Sequence, residues 1–322
     1  MRATTRLTAD VGGTNTRIAL YDELNDDLRS VATFVNEDYD CVEDVLQAWR
    51  DNLNEDWPTT ACIAAAAPPS GDQVSMINLG WSFSCSALAK QFGFRHLRWL
   101  NDFQANAHSL PHLGTADIEW LHSGVQTEHS KLATVGPGTG LGGATLQWIG
   151  DTPFAIEAEP GHAGLSPGNE LETDIFRRLL PEYGDIYAEL LVSGAGLVRL
   201  YTAIAELSGA SPRSLKPADV SRLGLEGSDI HCVQALETFC ALLGSACGDF
   251  VLSNGAYGGL YIAGGIIPRM TEFLRQSSFL ERLQNKGLMR EHLVKMPVKL
   301  ITTEHPGLIG AAHAPISTSG ES

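Results

Sequence analysis

Two runs of residues in this chain have the makings of an anion cradle. They are Asp10-Val11-Gly12-Gly13-Thr14-Asn15-Thr16-Arg17 and Val135-Gly136-Pro137-Gly138-Thr139-Gly140-Leu141-Gly142-Gly143. Each follows a short apolar run (Leu7-Thr8-Ala9; Leu132-Ala133-Thr134-Val135) and precedes another (Ile18-Ala19-Leu20; Ala144-Thr145-Leu146). Strand, Gly/Thr turn and strand in that order predict a β-hairpin. A turn poor in side chains offers successive backbone N–H groups to an anion. Either turn alone is what any tight hairpin looks like; their recurrence points to a phosphate chain gripped from both sides. Neither carries Gly-x4-Gly-Lys-Ser/Thr or opens straight into a helix, which excludes a P-loop. No Gly-x-Gly-x-x-Gly opens a helix with an acidic partner downstream, which argues against a dinucleotide fold.

Three further groups carry chemistry. Asp10 closes the strand before the first turn, where a carboxylate either holds Mg²⁺ through water or steadies the turn. Asn101-Asp102 stands at the carboxyl end of an apolar segment, the edge at which α/β sheets place ligands. Asp102 has the chemistry of the base that accepts a hydroxyl proton in phosphoryl transfer. Asn and Asp are equally the residues a helix N-cap prefers, and this segment by itself reads as a cap. Glu157-Ala158-Glu159-Pro160-Gly161-His162 gathers two acids and an imidazole around a Pro-Gly turn. Such groups suit a polyhydroxyl ligand, because each carboxylate accepts hydrogen bonds from vicinal hydroxyls. Singly, each would be a surface charge or a structural histidine.

These groups need a scaffold, and composition bounds it. The 322 residues, 43% hydrophobic and 19% charged, suffice for two domains with substantial cores. The formal charge of −16, from 22 Lys+Arg against 38 Asp+Glu, repels nucleic acid and anionic membranes. A polyphosphate would have to be held by amides, Mg²⁺ and a few local cations. The start of the chain shows no apolar leader, and the run 61–67 is too short to span a bilayer. Six dispersed cysteines without a Cys-x-x-Cys pair fit a reducing cytoplasm, with Cys240 and Cys247 as core residues of one helix. Periodicity predicts helices over 42–53, 86–92, 172–180, 196–207, 230–252 and 307–314. Strands are expected at 61–67, 97–100, 261–263 and 297–301 besides the hairpins, with a frayed tail over 317–322. The pattern is α/β, divided into two halves by the repeated hairpin.

Taken together the motifs resemble those of the bacterial glucokinases, of the hexokinase–actin ATPase superfamily, over nearly the whole chain. The first turn is similar to the family's phosphate-1 hairpin and Gly136–142 to its phosphate-2 hairpin. Tyr261-Ile262-Ala263-Gly264-Gly265-Ile266-Ile267-Pro268-Arg269 resembles the adenosine-side segment, and Asn101-Asp102-Phe103 the sugar-binding and catalytic segment. The resemblance implies a two-domain α/β actin-like ATPase (ribonuclease H-like) fold with a central cleft. Its small domain would span 1–109 plus 302–322 and its large domain 110–301. It implies ATP-dependent phosphorylation of D-glucose at the 6-hydroxyl, the first step of glycolysis, by a cytoplasmic homodimer. Asp102 would be the base; Asn78, Asn101, Glu159, His162 and Glu189 would contact the sugar. Asp10, Gly12, Gly13, Thr14, Asn15, Arg17, Gly138, Thr139, Gly140, Gly264 and Gly265 would hold ATP, with Asp10 reaching Mg²⁺ through water. Pro160 replaces the first glycine of the family's Glu-Gly-Gly-His, fixing φ and removing a donor. Glu157 also competes with Glu159 for its role. A cysteine-rich zinc motif of a neighbouring sugar-kinase branch is missing. The other readings are a kinase for mannose, fructose or an N-acetyl amino sugar, and a non-catalytic sugar sensor. Sensors of this superfamily carry a DNA-binding segment ahead of a first strand that here begins by about Leu7.

Overall fold

A computed structural model of the chain describes residues 5–67, 71–76, 79–125 and 127–316. In chain order come β1 (Thr5–Val11), β2 (Asn15–Asp22), β3 (Asp27–Val35), α1 (Val42–Asp51), β4 (Thr60–Ala65), β5 (Gln73–Met76) and β6 (Trp81–Ser84). Then follow α2 (Cys85–Phe92), β7 (His96–Asn101), α3 (Asp102–Ser109), β8 (Ile118–His122), β9 (Leu132–Pro137), β10 (Leu141–Ile149) and β11 (Thr152–Ala158). A helical stretch holds α4 (Glu170–Tyr183), α5 (Ala188–Leu191), α6 (Gly194–Leu207), α7 (Pro217–Leu225) and α8 (Ile230–Asn254). The chain ends with β12 (Gly259–Ile262), α9 (Thr271–Gln276), α10 (Phe279–Gln284), α11 (Arg290–Leu293), β13 (Val298–Ile301) and α12 (Pro306–His313).

The chain divides into two compact units, Met1–Leu113 with Thr303–Ser322 and Gly114–Thr302. In the first, the sheet order is β3-β2-β1-β4-β7, with β1–β2–β3 antiparallel and β1, β4 and β7 parallel. In the second, the order is β11-β10-β9-β12-β13-β8, with β9–β10–β11 antiparallel and β9, β12 and β13 parallel. The same five-strand arrangement therefore occurs twice, and in each copy the glycine turn joins the central strand to its hairpin partner. β8 extends the second sheet antiparallel to β13.

Each unit has its own apolar core. In the first, Leu7, Ile18, Leu20 and Ile63 pack against Val45, Leu46 and Trp49 of α1. In the second, α8 is the axis: Leu236, Phe239, Leu243 and Val251 are buried among residues of α6, α7 and α10. The 25-residue α8 is long and apolar enough to cross a membrane, yet 83% of its most apolar window is buried within the protein. A helix apolar on every face belongs in a core, and Cys240 and Cys247 are buried there. The strand expected over 61–67 ends at Ala65. Beyond it Ala66 N–H donates to Val11 O, at 3.2 Å, and the chain turns out of the sheet, leaving the Ala67 carbonyl available to a neighbour.

Candidate active site

In the first unit the register places the candidate residues along one sheet edge. Asp10 pairs with Ala64, and Ala65 with Asn101, so β1, β4 and β7 finish together. The first turn closes with Gly12 N–H donating to Asn15 O at 3.0 Å. Two of its carbonyls are tied off by a residue that the motifs did not single out. Asn36, buried just past β3, donates from Nδ2 to Gly12 O at 2.8 Å and from its backbone N–H to Thr14 O at 2.9 Å. Its Oδ1 accepts from Thr16 Oγ1 at 2.8 Å. Among the described residues no acceptor takes the N–H groups of Gly13 and Thr14, both exposed. Two donors of the turn are thus left open while the Gly12 and Thr14 carbonyls are occupied.

Asp10 is half-buried against the start of α12: a Cβ at Gly307 would come within 2.6 Å of its carboxyl group. Burial pushes the Asp10 carboxyl above the usual carboxylate range, and the charges of Arg17 and His305 oppose that rise. Asn101 is the N-cap of α3: its Oδ1 accepts from Phe103 N–H and its Nδ2 donates to Ala67 O, both at 2.9 Å. The cap that the sequence suggests is thus present, and the amide keeps one N–H and one lone pair for another partner. Asp102, the first residue of α3, is half-buried, and its Oδ1 also accepts from Phe103 N–H. A helix start favours the ionised carboxylate. Asn78 lies outside the described residues.

The second unit builds its turn by the same logic. Gly138 N–H donates to Gly140 O at 2.8 Å, and Gly138 O accepts from Gly194 N–H, the first residue of α6, at 2.9 Å. The N–H groups of Thr139 and Gly140 meet no acceptor among the described residues. Leu141 N–H donates to Glu189 Oε2 at 2.9 Å, so this carboxylate is anchored on the turn. A Cβ at Gly140 would collide with that oxygen, so a side chain there must push the Glu189 carboxylate aside. Gly264 sits at φ +87°, with Pro137 O 2.5 Å from where its Cβ would be. That contact sets the Gly264-Gly265 bend directly beside the second hairpin.

Glu159 and His162 bracket a single 3₁₀ turn, Pro160–His162. The His162 Nδ1 is 3.9 Å from Glu159 Oε2, and its ring stacks parallel to Tyr187 at 5.7 Å. Pro160 occupies the first turn position, where a fixed φ and a missing donor cost nothing. Its ring fills the space a Cβ at Gly143 would take. Gly161 presses on Leu141 O and Glu189, so the turn, β10 and α5 form one packed cluster. Glu157 remains an exposed residue of β11, paired with Ala144.

A duplicated β3-β2-β1-β4-β7 sheet with an outward-facing amide turn on each copy defines the mixed α/β actin-like ATPase fold, in two units. A glucokinase family profile matches residues 7–317. The glucokinase of Chromobacterium violaceum is 41% identical over 307 residues, covering 95% of this chain and 88% of that protein. The crystal structure of a glucokinase from an Antarctic psychrotroph superposes with a TM-score of 0.89 at 36% identity, covering 96% of this chain and 98% of that one. A ROK-family glucokinase from Streptomyces griseus, crystallised with glucose and AMPPNP, shares the fold at 19% identity and a TM-score of 0.63, covering 96% and 98%. The chain belongs to the glucokinase family.

Proposed function

We propose that this chain transfers the γ-phosphoryl group of ATP to the 6-hydroxyl of D-glucose, giving glucose 6-phosphate and ADP. The observation that carries this reading is the matched pair of hairpin turns, each with two carbonyls hydrogen-bonded (Gly12 and Thr14; Gly138 and Gly140) and two N–H groups that meet no acceptor among the described residues. Those amides donate to phosphate oxygens, with Gly12, Gly13, Thr14, Asn15 and Arg17 on one turn and Gly138, Thr139 and Gly140 on the other. Gly264 and Gly265 receive the adenosine end. Asp102 takes the proton of the attacking hydroxyl, and Asn101, Glu159, His162 and Glu189 bind the other sugar hydroxyls; Asn78 joins them by family resemblance.

The residues present fit Mg²⁺. Among the described residues no cluster of three or more His, Cys, Asp or Glu could cage a metal ion. Magnesium is commonly held by one or two carboxylates together with substrate phosphates. Asp10, at the strand end beside the first turn, would hold it through water. Bound Mg²⁺ neutralises charge on the transferring phosphoryl group. The enzyme is further proposed to work in the cytoplasm, as its free cysteines suggest, as a homodimer, in glycolysis.

ADP release from Mg-ATP across a panel of single sugars, with a no-sugar control, tests the reading. Glucose-dependent release is expected. Release with mannose, fructose or an N-acetyl amino sugar alone would keep the chemistry and move the substrate. Sugar binding without any release would make the chain a sensor.

A further inference from the structure

We infer that Asn36 is a positioning residue for nucleotide phosphate, setting the direction of the donors in the first turn. The inference rests on the reading of Gly12–Asn15 as a phosphate cradle and names what shapes it. Every hydrogen bond that Asn36 makes through its side chain or its N–H ends on residues 12–16 of that hairpin, while its carbonyl accepts from Tyr39 N–H. Gly12 O and Thr14 O are carbonyls that would repel an anion if they turned towards it. Asn36 takes both. Among the described residues the N–H groups of Gly13 and Thr14, both on exposed residues, meet no acceptor.

The chemistry of the residue matters. Gly12 O needs a donor and Thr16 Oγ1 needs an acceptor, and a side-chain amide supplies one of each. Asn36 is only 2% exposed, so a replacement cannot borrow water to mend a lost bond. An aspartate would keep the acceptor and lose the donor, setting a charged oxygen against Gly12 O. The second unit meets the same need with backbone alone, since Gly194 N–H holds Gly138 O. The two copies of the fold thus orient their turns by unrelated means, which marks the orientation itself as the shared requirement.

The test compares Asn36→Asp and Asn36→Ala with the wild type and with Gly13→Ala. A Cβ at Gly13 meets nothing within 4 Å, so that variant folds and obstructs only what approaches from outside. Thermal unfolding is measured alongside KM for ATP, KM for glucose and kcat, and the Kd of AMPPNP by calorimetry. For Asn36→Asp, KM for ATP and the AMPPNP Kd should rise roughly tenfold or more, the loss of one buried hydrogen bond. The KM for glucose should stay within about twofold, a split that general destabilisation would not produce. A folded Asn36→Asp with wild-type nucleotide affinity, while Gly13→Ala weakens it, would overturn the role of Asn36 alone. Unchanged affinity in Gly13→Ala would overturn the cradle reading, and the inference with it.

Discussion

Glu189 and Asp102 are held in different ways, and each way makes a prediction. Glu189 rides on a four-residue helix, and its carboxylate is fixed by Leu141 N–H, a partner 48 positions earlier in the chain. A methyl group at Gly140 would displace that carboxylate. Gly140→Ala should therefore raise KM for glucose roughly tenfold or more, since one charge-assisted hydrogen bond is lost. Steady-state kinetics would check this, and an unchanged KM would separate Glu189 from the sugar. The residue types at the site were legible in the sequence because the motifs are local. The anchor of Glu189 was not, because it depends on a contact between segments that no spacing rule connects. Asn36 was missed for the same reason: it follows an edge strand whose alternation of exposed and half-buried residues says nothing about the turn beside it.

At the scale of elements, α3 and α12 matter most, because one starts with Asp102 and the other backs Asp10. They cross where Gly310 meets Ala105, with the carbonyl of Ala105 1.7 Å from the position of a Cβ at Gly310. Gly310→Ala should force the helices apart and cost roughly 1–3 kcal/mol or more, read from urea unfolding. It should also lower kcat by shifting Asp102. The same pair of helices carries a pH response. Burial pushes His108 of α3 down to about 3 and His313 of α12 down to about 4. The charge of Arg98 also lowers His108, and the charge of His112, whose ring stacks on His313, lowers both. Asp26 and Tyr21 face His313 as well, and Asp26 raises it while Arg6 lowers it. Both native pKa values lie below the ordinary 6.5, so the unfolded chain binds protons that the native state refuses. Stability present above pH 6.5 should fall as pH drops towards 4. Both ring nitrogens of His108 are buried without a hydrogen-bond partner among the described residues. His108→Leu should therefore flatten that slope and stabilise at pH 7 by up to roughly 1–3 kcal/mol. Equal slopes for variant and wild type between pH 7 and 4 would count against it. Sequence pattern found α12, and the apolar runs around the second glycine turn found the hairpin of β9 and β10. It did not find β3, β5, β6, β8 and β11, which are short or half-exposed and carry no continuous apolar run.

At the scale of the molecule, one architectural unit is used twice, and the returning chain end belongs to the first copy. Arg6 binds that end: Nη1 donates to Ala312 O at 2.6 Å and to Ala314 O at 2.7 Å, and Nη2 to Glu23 at 2.9 Å. Arg98 reaches Pro315 O in the same way. Arg6→Met should lose roughly 1.5–3 kcal/mol, the worth of a charged hydrogen bond, in urea unfolding and expose the end of the chain to protease. The duplication was announced in the sequence by its two glycine turns, whereas the strand order that makes the halves equivalent emerged only from long-range pairing. The sequence charge of −16 leaves phosphate recognition to those turns and a few local groups. Phosphoryl transfer by this arrangement stands or falls on Asp102. The measurement is glucose 6-phosphate formed from Mg-ATP and glucose by wild type and Asp102→Asn, with glucose affinity taken by calorimetry. The variant should bind glucose and turn over roughly 100- to 10,000-fold more slowly, the usual worth of a general base. Near wild-type turnover in the variant, or no glucose 6-phosphate from the wild type, would contradict the account.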